Sequence, residues 1–89
     1  MKAIVTVIGK DTVGIIASVC ALLAEQNANV LDISQTVMQD YFTMIMMVDL
    51  SECKASFADL AAGLDRSGQE RGLSIRIQRE DIFNAMHRI

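Results

Sequence analysis

Residues 3–26 read AIVTVIGKDTVGIIASVCALLAEQ and carry the two hydrophobic patterns on which the fold depends. The first six residues, AIVTVI, are apolar and rich in β-branched side chains, which predicts a strand over residues 3–8. Apolar side chains then recur at helical spacing over residues 13–26, which predicts an amphipathic helix. The hexapeptide GKDTVG, residues 9–14, connects the two, so a polar loop bounded by glycines leads from a strand into a helix.

Four further elements are predicted along the rest of the chain. Residues 30–38 alternate between apolar and polar, as in a strand with one wet face that carries Leu31, Ile33 and Val37 on its other face. Residues 42–50, FTMIMMVDL, are apolar almost throughout, as in a strand buried on both faces. A second helix over residues 55–71, an amphipathic strand over 73–78 and a terminal helix over 80–89 complete the chain. Gly68 and Gly72 are expected to mark a weak final turn of the second helix.

The order β-α-β-β-α-β predicts an α+β ferredoxin-like sandwich, with an antiparallel sheet in the strand order 4-1-3-2 and two helices on one face. We expect this domain to span residues 1–78 and a helical extension to span 79–89. The two central strands would leave an apolar strip on the uncovered face of the sheet. Phe42, Met44, Ile45, Met46 and Met47 are the candidates for that strip. The terminal helix or a second subunit would cover it, and we expect a homodimer.

Composition excludes several classes of function. The chain of 89 residues makes one domain, its net charge is −3 and only 4% of it is aromatic, so neither a basic nor a base-stacking surface for nucleic acid is present. No window reaches the roughly 18 consecutive apolar residues of a membrane span, and the N-terminus lacks a signal-peptide pattern. We therefore expect a cytoplasmic protein. The two cysteines, Cys20 and Cys53, form no CxxC pair, so no metal and no cofactor is expected.

The loop of residues 9–14 lacks the residues that known phosphate loops require. A P-loop continues with Lys and then Ser or Thr, but Ile15 and Ile16 follow Gly14 here. The single histidine, His87, has no nucleophilic partner that the sequence identifies, which argues against an enzyme. Asp32 and Asp49 remain an alternative, as a carboxylate pair across the predicted hairpin.

A small-molecule site fits the loop better than catalysis does. Gly14 lies at the predicted start of a helix, where backbone amides and the helix dipole favour a carboxylate. Asp11 would accept hydrogen bonds from an ammonium group, and the two together describe an amino acid. The alternative is that Asp11 only caps the helix and Gly14 only permits close helix–sheet packing.

Residues 9–34, GKDTVGIIASVCALLAEQNANVLDIS, resemble the opening half of the ACT domain. The matching features are Gly14, the sequence Leu23-Ala24-Glu25 and the pair Asn29-Val30, and the order of elements extends the resemblance over residues 1–78. With its closing segment DIFNAMHRI, the whole chain is similar to the small stand-alone bacterial and archaeal ACT proteins of unassigned function.

This resemblance implies a non-catalytic regulatory module that dimerises, binds an amino acid or a related metabolite between subunits and signals to a protein partner. Its loop after strand 1 would face the start of strand 2 of the other subunit. Val13 stands where many ACT loops have proline. A ligand-free oligomerisation or adaptor subunit is one alternative; another is an accessory transcription regulator that acts through a partner, similar to the glycine-cleavage repressor group. The implied ligand-binding residues are Lys10, Asp11, Thr12, Val13, Gly14 and Asn29, with Asp32 and Gln35 as further candidates.

Overall fold

Four strands and two helices follow one another in the order that the sequence predicts. A computed structural model of the protein describes residues 1–10 and 14–81. The sheet is antiparallel with the order β2-β3-β1-β4, which confirms the ferredoxin-like βαββαβ fold. Glu80 and Asp81 have helical backbone, and the rest of the predicted terminal helix, 82–89, lies outside the described residues. The elements are β1 (Lys2–Lys10), α1 (Ile15–Glu25), β2 (Asn29–Met38), β3 (Tyr41–Asp49), α2 (Phe57–Arg71) and β4 (Ser74–Arg79).

The core lies between the two central strands and the helices. In β1 and β3 every second side chain faces the helices, and Val5, Val7, Met44 and Met46 are fully buried there against Leu23 and Leu64 of the helices. The register pairs Val5 with Met46 and Val7 with Met44, so these side chains share one face. Ile45 and Met47 therefore lie on the opposite face, which settles the orientation of β3 that the sequence left open.

The last turn of α2 is tightly packed, contrary to the sequence-based expectation. Gly68 is buried, and a Cβ atom built on it would lie 2.8 Å from the carbonyl oxygen of Leu73 and 3.1 Å from Ile75 Cγ1. A glycine at this position therefore lets α2 approach β4 closely. Gly72 ends the helix with φ of 71°, the left-handed conformation that favours glycine at this place. At the other end Ser56 Oγ accepts a hydrogen bond from the Asp59 N–H at 3.1 Å, so α2 begins at Phe57.

Strand β2 is a long edge strand that the helices leave exposed beyond Val30. Its register shifts between Val30 and Asp32, so Leu31 forms a bulge. The prediction that Leu31 shares a face with Ile33 and Val37 is therefore wrong. Every residue from Leu31 to Met38 is exposed. Val37 and Met38 are 61% and 69% exposed, so this free edge presents apolar side chains to solvent.

The sheet face opposite the helices, called the open face below, has an apolar centre and polar edges. The protein measures 35 × 34 × 20 Å, and a thickness of 20 Å is that of two layers, a sheet and its helices. Ile8 and Ile45 on this face are 47% and 44% exposed, whereas Ile4 beside Met47 is buried, with 7% of its surface exposed. By the strand register the side chains of this face are Lys2, Ile4, Thr6, Ile8 and Lys10 of β1, Tyr41, Thr43, Ile45, Met47 and Asp49 of β3, Asp32, Ser34, Thr36 and Met38 of β2, and Ser74, Arg76 and Gln78 of β4.

Candidate functional site

The end of β1 and the start of α1 form the first part of the candidate site. Gly14 precedes α1 with φ of 88° and ψ of 4°, and its carbonyl accepts the Ser18 N–H at 2.9 Å, so α1 begins at Ile15. The N–H groups of a helix's first turn have no acceptor within the helix. No side chain of the described residues caps them. The predicted cap at Asp11 or Thr12, like Val13, lies outside the described residues.

The two glycines of the loop are required for different reasons. A Cβ atom on Gly9 would overlap the side chain of Leu73, so Gly9 allows close packing below the loop. A Cβ atom on Gly14 would meet none of the described residues within 4 Å, so among them only the positive φ calls for glycine there. Close packing against the described strands therefore does not explain Gly14.

Lys10 adds a positive charge to this end of the sheet. It is the last residue of β1, pairs with Tyr41 across the sheet and is exposed, as Tyr41 is. An ammonium group and the amino end of a helix both favour an anion. The arrangement at this end is suited to a carboxylate of small size.

The remaining predicted site residues lie elsewhere in the chain. Asn29 pairs with Asp49, and Asp49 pairs with Lys2, so Asn29 stands at the opposite end of the sheet from Lys10. The nine residues of β1 separate the two ends, a distance of about 26 Å. A single chain therefore does not bring Asn29 to the β1–α1 end.

Asp32 and Gln35 point to different faces of β2. Asp32 lies on the open face opposite Met47, and its Oδ1 accepts a hydrogen bond from the Ile33 N–H at 2.8 Å. Gln35 pairs with Met44 and so shares the helix side of the sheet. Neither side chain lies beside Gly14 within one chain.

Asp49 is held in its ionised form by its neighbour Ser51. Its Oδ1 accepts hydrogen bonds from the Ser51 hydroxyl at 2.6 Å and from the Ser51 N–H at 2.9 Å. The hydroxyl bond is the main cause that lowers the pKa of Asp49 below its ordinary value. Asp49 also lies opposite Asn29 and not opposite Asp32. A carboxylate pair with one raised pKa, as acid–base catalysis needs, is therefore not formed.

One cavity was not anticipated from the sequence. A groove of about 400 Å³ runs between α1 and α2 over Leu22, Leu60 and Gly63, with Glu25 and Arg66 at its sides. In the sequence, Gly63 is the residue that could have indicated this groove, because a glycine inside a helix leaves space on the helix surface. A Cβ atom on Gly63 would meet nothing within 4 Å. Within residues 1–10 and 14–81 no group of three or more potential metal ligands occurs, and no helix there is long and apolar enough to cross a membrane.

Comparison with known proteins agrees with this geometry. The sequence model of the ACT domain matches residues 2–78. A UPF0237 protein of Clostridium acetobutylicum is 60% identical over 89 residues, all of both chains. The structure of an ACT domain protein from Streptococcus pneumoniae superposes with a TM-score of 0.83 at 46% identity and covers 98% of each chain. The ligand-free regulatory subunit of aspartate kinase from Thermus thermophilus has a TM-score of 0.65 at 26% identity, over 86% of this chain and 50% of its own.

The fold, the glycine-initiated helix and the matched residues define an ACT domain, a regulatory ligand-binding module. The resemblance found in the sequence is thereby confirmed. The chain belongs to the ACT domain family, and within that family to the UPF0237 proteins.

Proposed function

We propose that the protein is a non-catalytic, homodimeric regulator that binds an amino acid or a related metabolite at the β1–α1 end and signals to a protein partner. The observation that carries the proposal is the first turn of α1: its amides follow a glycine with φ of 88° and no side-chain cap, and a Cβ atom on that glycine would meet no described residue within 4 Å. Lys10 stands at the same end. A ligand carboxylate bound there would be stabilised by the helix dipole and by the ammonium group.

The ligand's ammonium group needs acceptors, and two residues are proposed to provide them. Asp11 follows Lys10 directly in the sequence, and its carboxylate is the charged acceptor. Asn29 supplies an amide oxygen, but in one chain it stands at the far end of the sheet. The site is therefore complete only if a second chain contributes Asn29.

Edge pairing of two β2 strands would bring the partner's Asn29 to the β1–α1 end. Strands paired about a two-fold axis run antiparallel, so the start of one β2 lies beside the end of the other. Met38, the last residue of β2, pairs with Tyr41 of β3, and Tyr41 pairs with Lys10 of β1. The partner's Asn29 would then lie at the same end of the sheet as Lys10, three strand spacings or about 14 Å away across the sheet, on the side where a ligand would span the two.

The exposed edge of β2 supports this mode of association. The Ile33 N–H is bonded to the Asp32 side chain, so it faces away from β3, and by alternation the Gln35 N–H faces the free edge too. A strand of ten residues with free backbone groups and exposed apolar side chains is a pairing surface. Binding of a ligand between the two chains would then change the dimer surface that a partner protein recognises.

The proposal is tested first on the dimer. Gln35→Pro removes an edge-facing N–H and places a proline ring at the contact, whereas Gln35→Ala keeps the N–H. In sedimentation equilibrium we expect the wild type and Gln35→Ala to be dimers and Gln35→Pro to dissociate at least ten times more readily. Equal dimerisation of the three proteins would refute edge pairing.

The ligand is tested by thermal shift with each common L-amino acid and glycine as probes. We expect at least one of them to raise the melting temperature of the wild type, and Asn29→Ala and Gln35→Pro to lose that shift. Loss in Gln35→Pro with retention in Gln35→Ala, which removes the same side chain but keeps the edge N–H, would show that the site needs both chains. A shift that both variants retain would exclude Asn29 and the partner from the site.

A ligand-free adaptor is the second candidate function. The exposed apolar side chains of β2 support it as much as they support the ligand-binding regulator. It predicts a dimer that is sensitive to Gln35→Pro and that none of the amino acid probes stabilises. An accessory transcription regulator would in addition bind DNA only in the presence of its partner. In each case we place the protein in the cytoplasm, since Cys20 and Cys53 are both free, as thiols are in a reducing compartment.

A further inference from the structure

Strand β4 forms the second edge of the sheet, on the side opposite β2. It comprises Ser74–Arg79, and among the described strands it pairs with β1 alone. An edge strand keeps one row of backbone N–H and C=O groups without a partner in the sheet. In the dimer proposed above, the two β2 edges face each other, so the β4 edges stay on the outside.

The hydrogen bonds of β1 show which way its backbone groups point. The Leu50 N–H donates to the Met1 carbonyl at 2.8 Å, which continues the pairing of Lys2 with Asp49 by one residue. Opposed residues of an antiparallel pair alternate between bonded and unbonded. Odd-numbered residues of β1 therefore bond to β3, and even-numbered residues bond to β4.

Ile75 and Ile77 direct their backbone groups toward the unpaired edge. The even-numbered Thr6 bonds to its partner Arg76, so the residues on either side of Arg76 face away from β1. In the described part of the chain, Ile75 and Ile77 form no backbone hydrogen bond outside the sheet. Each of them therefore offers one donor and one acceptor to an added strand.

A cavity lies between this edge and helix α2. Its volume is about 330 Å³, and it is lined by Ala61 and Asp65 of α2 and by Ile75, Arg76, Ile77 and Gln78 of β4. The side chains of Ile75 and Ile77 face the helices, because they pair with Val7 and Val5 of the core. An added strand would lie about 4.8 Å outside β4, and its residues opposite these two isoleucines would also direct their side chains toward α2.

Two charged side chains stand at this cavity, on opposite faces of the sheet. Asp65 is exposed on α2, and its Oδ2 accepts a hydrogen bond from Gln69 Nε2 at 3.2 Å. Arg76 is exposed on the open face. Neither forms a salt bridge with another residue that the structure describes. Each can therefore pair with an opposite charge on an added strand.

We propose that the β4 edge binds an extended segment of a partner protein as an additional antiparallel strand, with a basic, an acidic and an apolar residue in succession. The basic residue lies opposite Ile77, where its aliphatic stem packs on Ala61 and its charged head reaches Asp65. The acidic residue lies opposite Arg76 and forms a cross-strand pair with it. The apolar residue lies opposite Ile75.

This site goes beyond the proposed ligand site and does not depend on it. Backbone bonds to Ile75 and Ile77 supply affinity for any extended chain, and the two charges select its sequence. Neither the pairing of β2 nor a ligand at the β1–α1 end is required. Gln35→Pro and Asn29→Ala should therefore bind the segment as the wild type does, so this proposal and the proposed function can fail separately.

The first test measures the backbone pairing with the full chain and the probe fluorescein-Thr-Thr-Lys-Glu-Val-Thr-amide. We expect saturable binding by fluorescence anisotropy. An N-methyl group on the lysine or on the valine should weaken binding at least tenfold, because those amides bond to Ile77 and Ile75. An N-methyl group on the glutamate, whose amide faces away from β4, should leave the affinity within about threefold.

The second test exchanges a charge across the contact. Asp65→Lys should weaken binding of the probe at least tenfold, because it places like charges together. A probe with glutamate in place of its lysine should bind this variant within about threefold of the original pair. Asp59→Lys is the matched control, since Asp59 is also exposed on α2 but lines the groove toward α1. It should leave the affinity unchanged.

Three results would overturn the proposal. The first is a probe that does not saturate the wild type at about 1 mM, as expected if residues 82–89 cover the edge. The second is an equal loss for all three N-methylated probes, or no rescue by the exchanged charge. The third is a probe that dissociates an oligomer of the wild type in sedimentation equilibrium, because a second copy of the chain would then be the occupant of the β4 edge.

Discussion

Replacement of Gly14 by alanine should destabilise the protein through its backbone alone. Gly14 has φ of 88°, and a Cβ atom there would meet no residue of 1–10 or 14–81 within 4 Å. The left-handed conformation costs a residue with a side chain about 1–2 kcal/mol. Part of this is offset because alanine also reduces the freedom of the unfolded chain, by about 0.4–1 kcal/mol. We expect Gly14→Ala to lower the free energy of unfolding by about 1 kcal/mol, which corresponds to about 4–8 °C in melting temperature for a domain of this size.

Gly63→Ala is the matched control, because it makes the same chemical change at a site without positive φ. Gly63 lies inside α2, and its Cβ would also meet nothing within 4 Å. Alanine in a helix interior is favoured over glycine by about 0.5–1 kcal/mol. The two substitutions should therefore shift stability in opposite directions.

Urea unfolding at neutral pH, followed by circular dichroism, measures both changes. Gly14→Asn should lie between the wild type and Gly14→Ala, since asparagine tolerates the left-handed region better than alanine does. A Gly14→Ala protein as stable as the wild type would refute the conformational role of this glycine. A loss for Gly63→Ala equal to that for Gly14→Ala would point to lost flexibility at both sites instead.

Three further predictions concern the core and the charged groups. Gly68→Ala should lower the free energy of unfolding in urea by at least about 1–3 kcal/mol, because its Cβ atom would lie too close to the carbonyl oxygen of Leu73 and α2 would have to shift. Met46→Ala should lose about 2–5 kcal/mol through a core cavity, whereas Met38→Ala, at a side chain 69% exposed, should change stability by less than about 0.5 kcal/mol in the same assay. Because the pKa of Asp49 is lowered on folding, its contribution to stability is present above the ordinary aspartate pKa of about 3.9 and is lost as the pH falls through the lower folded value. Ser51→Ala should raise the pKa of Asp49 toward 3.9 in an NMR titration and reduce this acid-dependent loss; an unchanged pKa would contradict the assignment of Ser51 as its cause.

The sequence predicted the architecture because hydrophobic periodicity is a local property that tertiary contacts did not override here. The alternation of residues 30–38 and the continuous apolar run of residues 42–50 distinguished an edge strand from a central one. The positive φ of Gly14 was not readable from the sequence, because it depends on where α1 lies relative to β1.

The errors in the prediction have the same origin. The bulge at Leu31 inserts one residue into β2, and a period-two pattern does not reveal it in advance. Gly68 reads as a helix breaker in sequence, but its function is a contact with Leu73, which lies on the far side of the turn. The separation of Asn29 from Lys10 within one chain is not an error, since the sequence analysis assigned Asn29 to the other subunit; it follows from the register of three strands. No spacing along the chain shows that these two residues stand at opposite ends of the sheet.

A site shared between two chains is tested most directly by mixing two defective proteins. Gly14→Asn fills the space before α1 and Asn29→Ala removes the proposed amide, so neither homodimer should bind the amino acid that stabilises the wild type most. Refolded together in equal amounts, half of the dimers are mixed, and each mixed dimer has one intact site. Calorimetric titration should then recover about a quarter of all sites. A mixture that binds no more ligand than the two separate proteins would contradict the composite site.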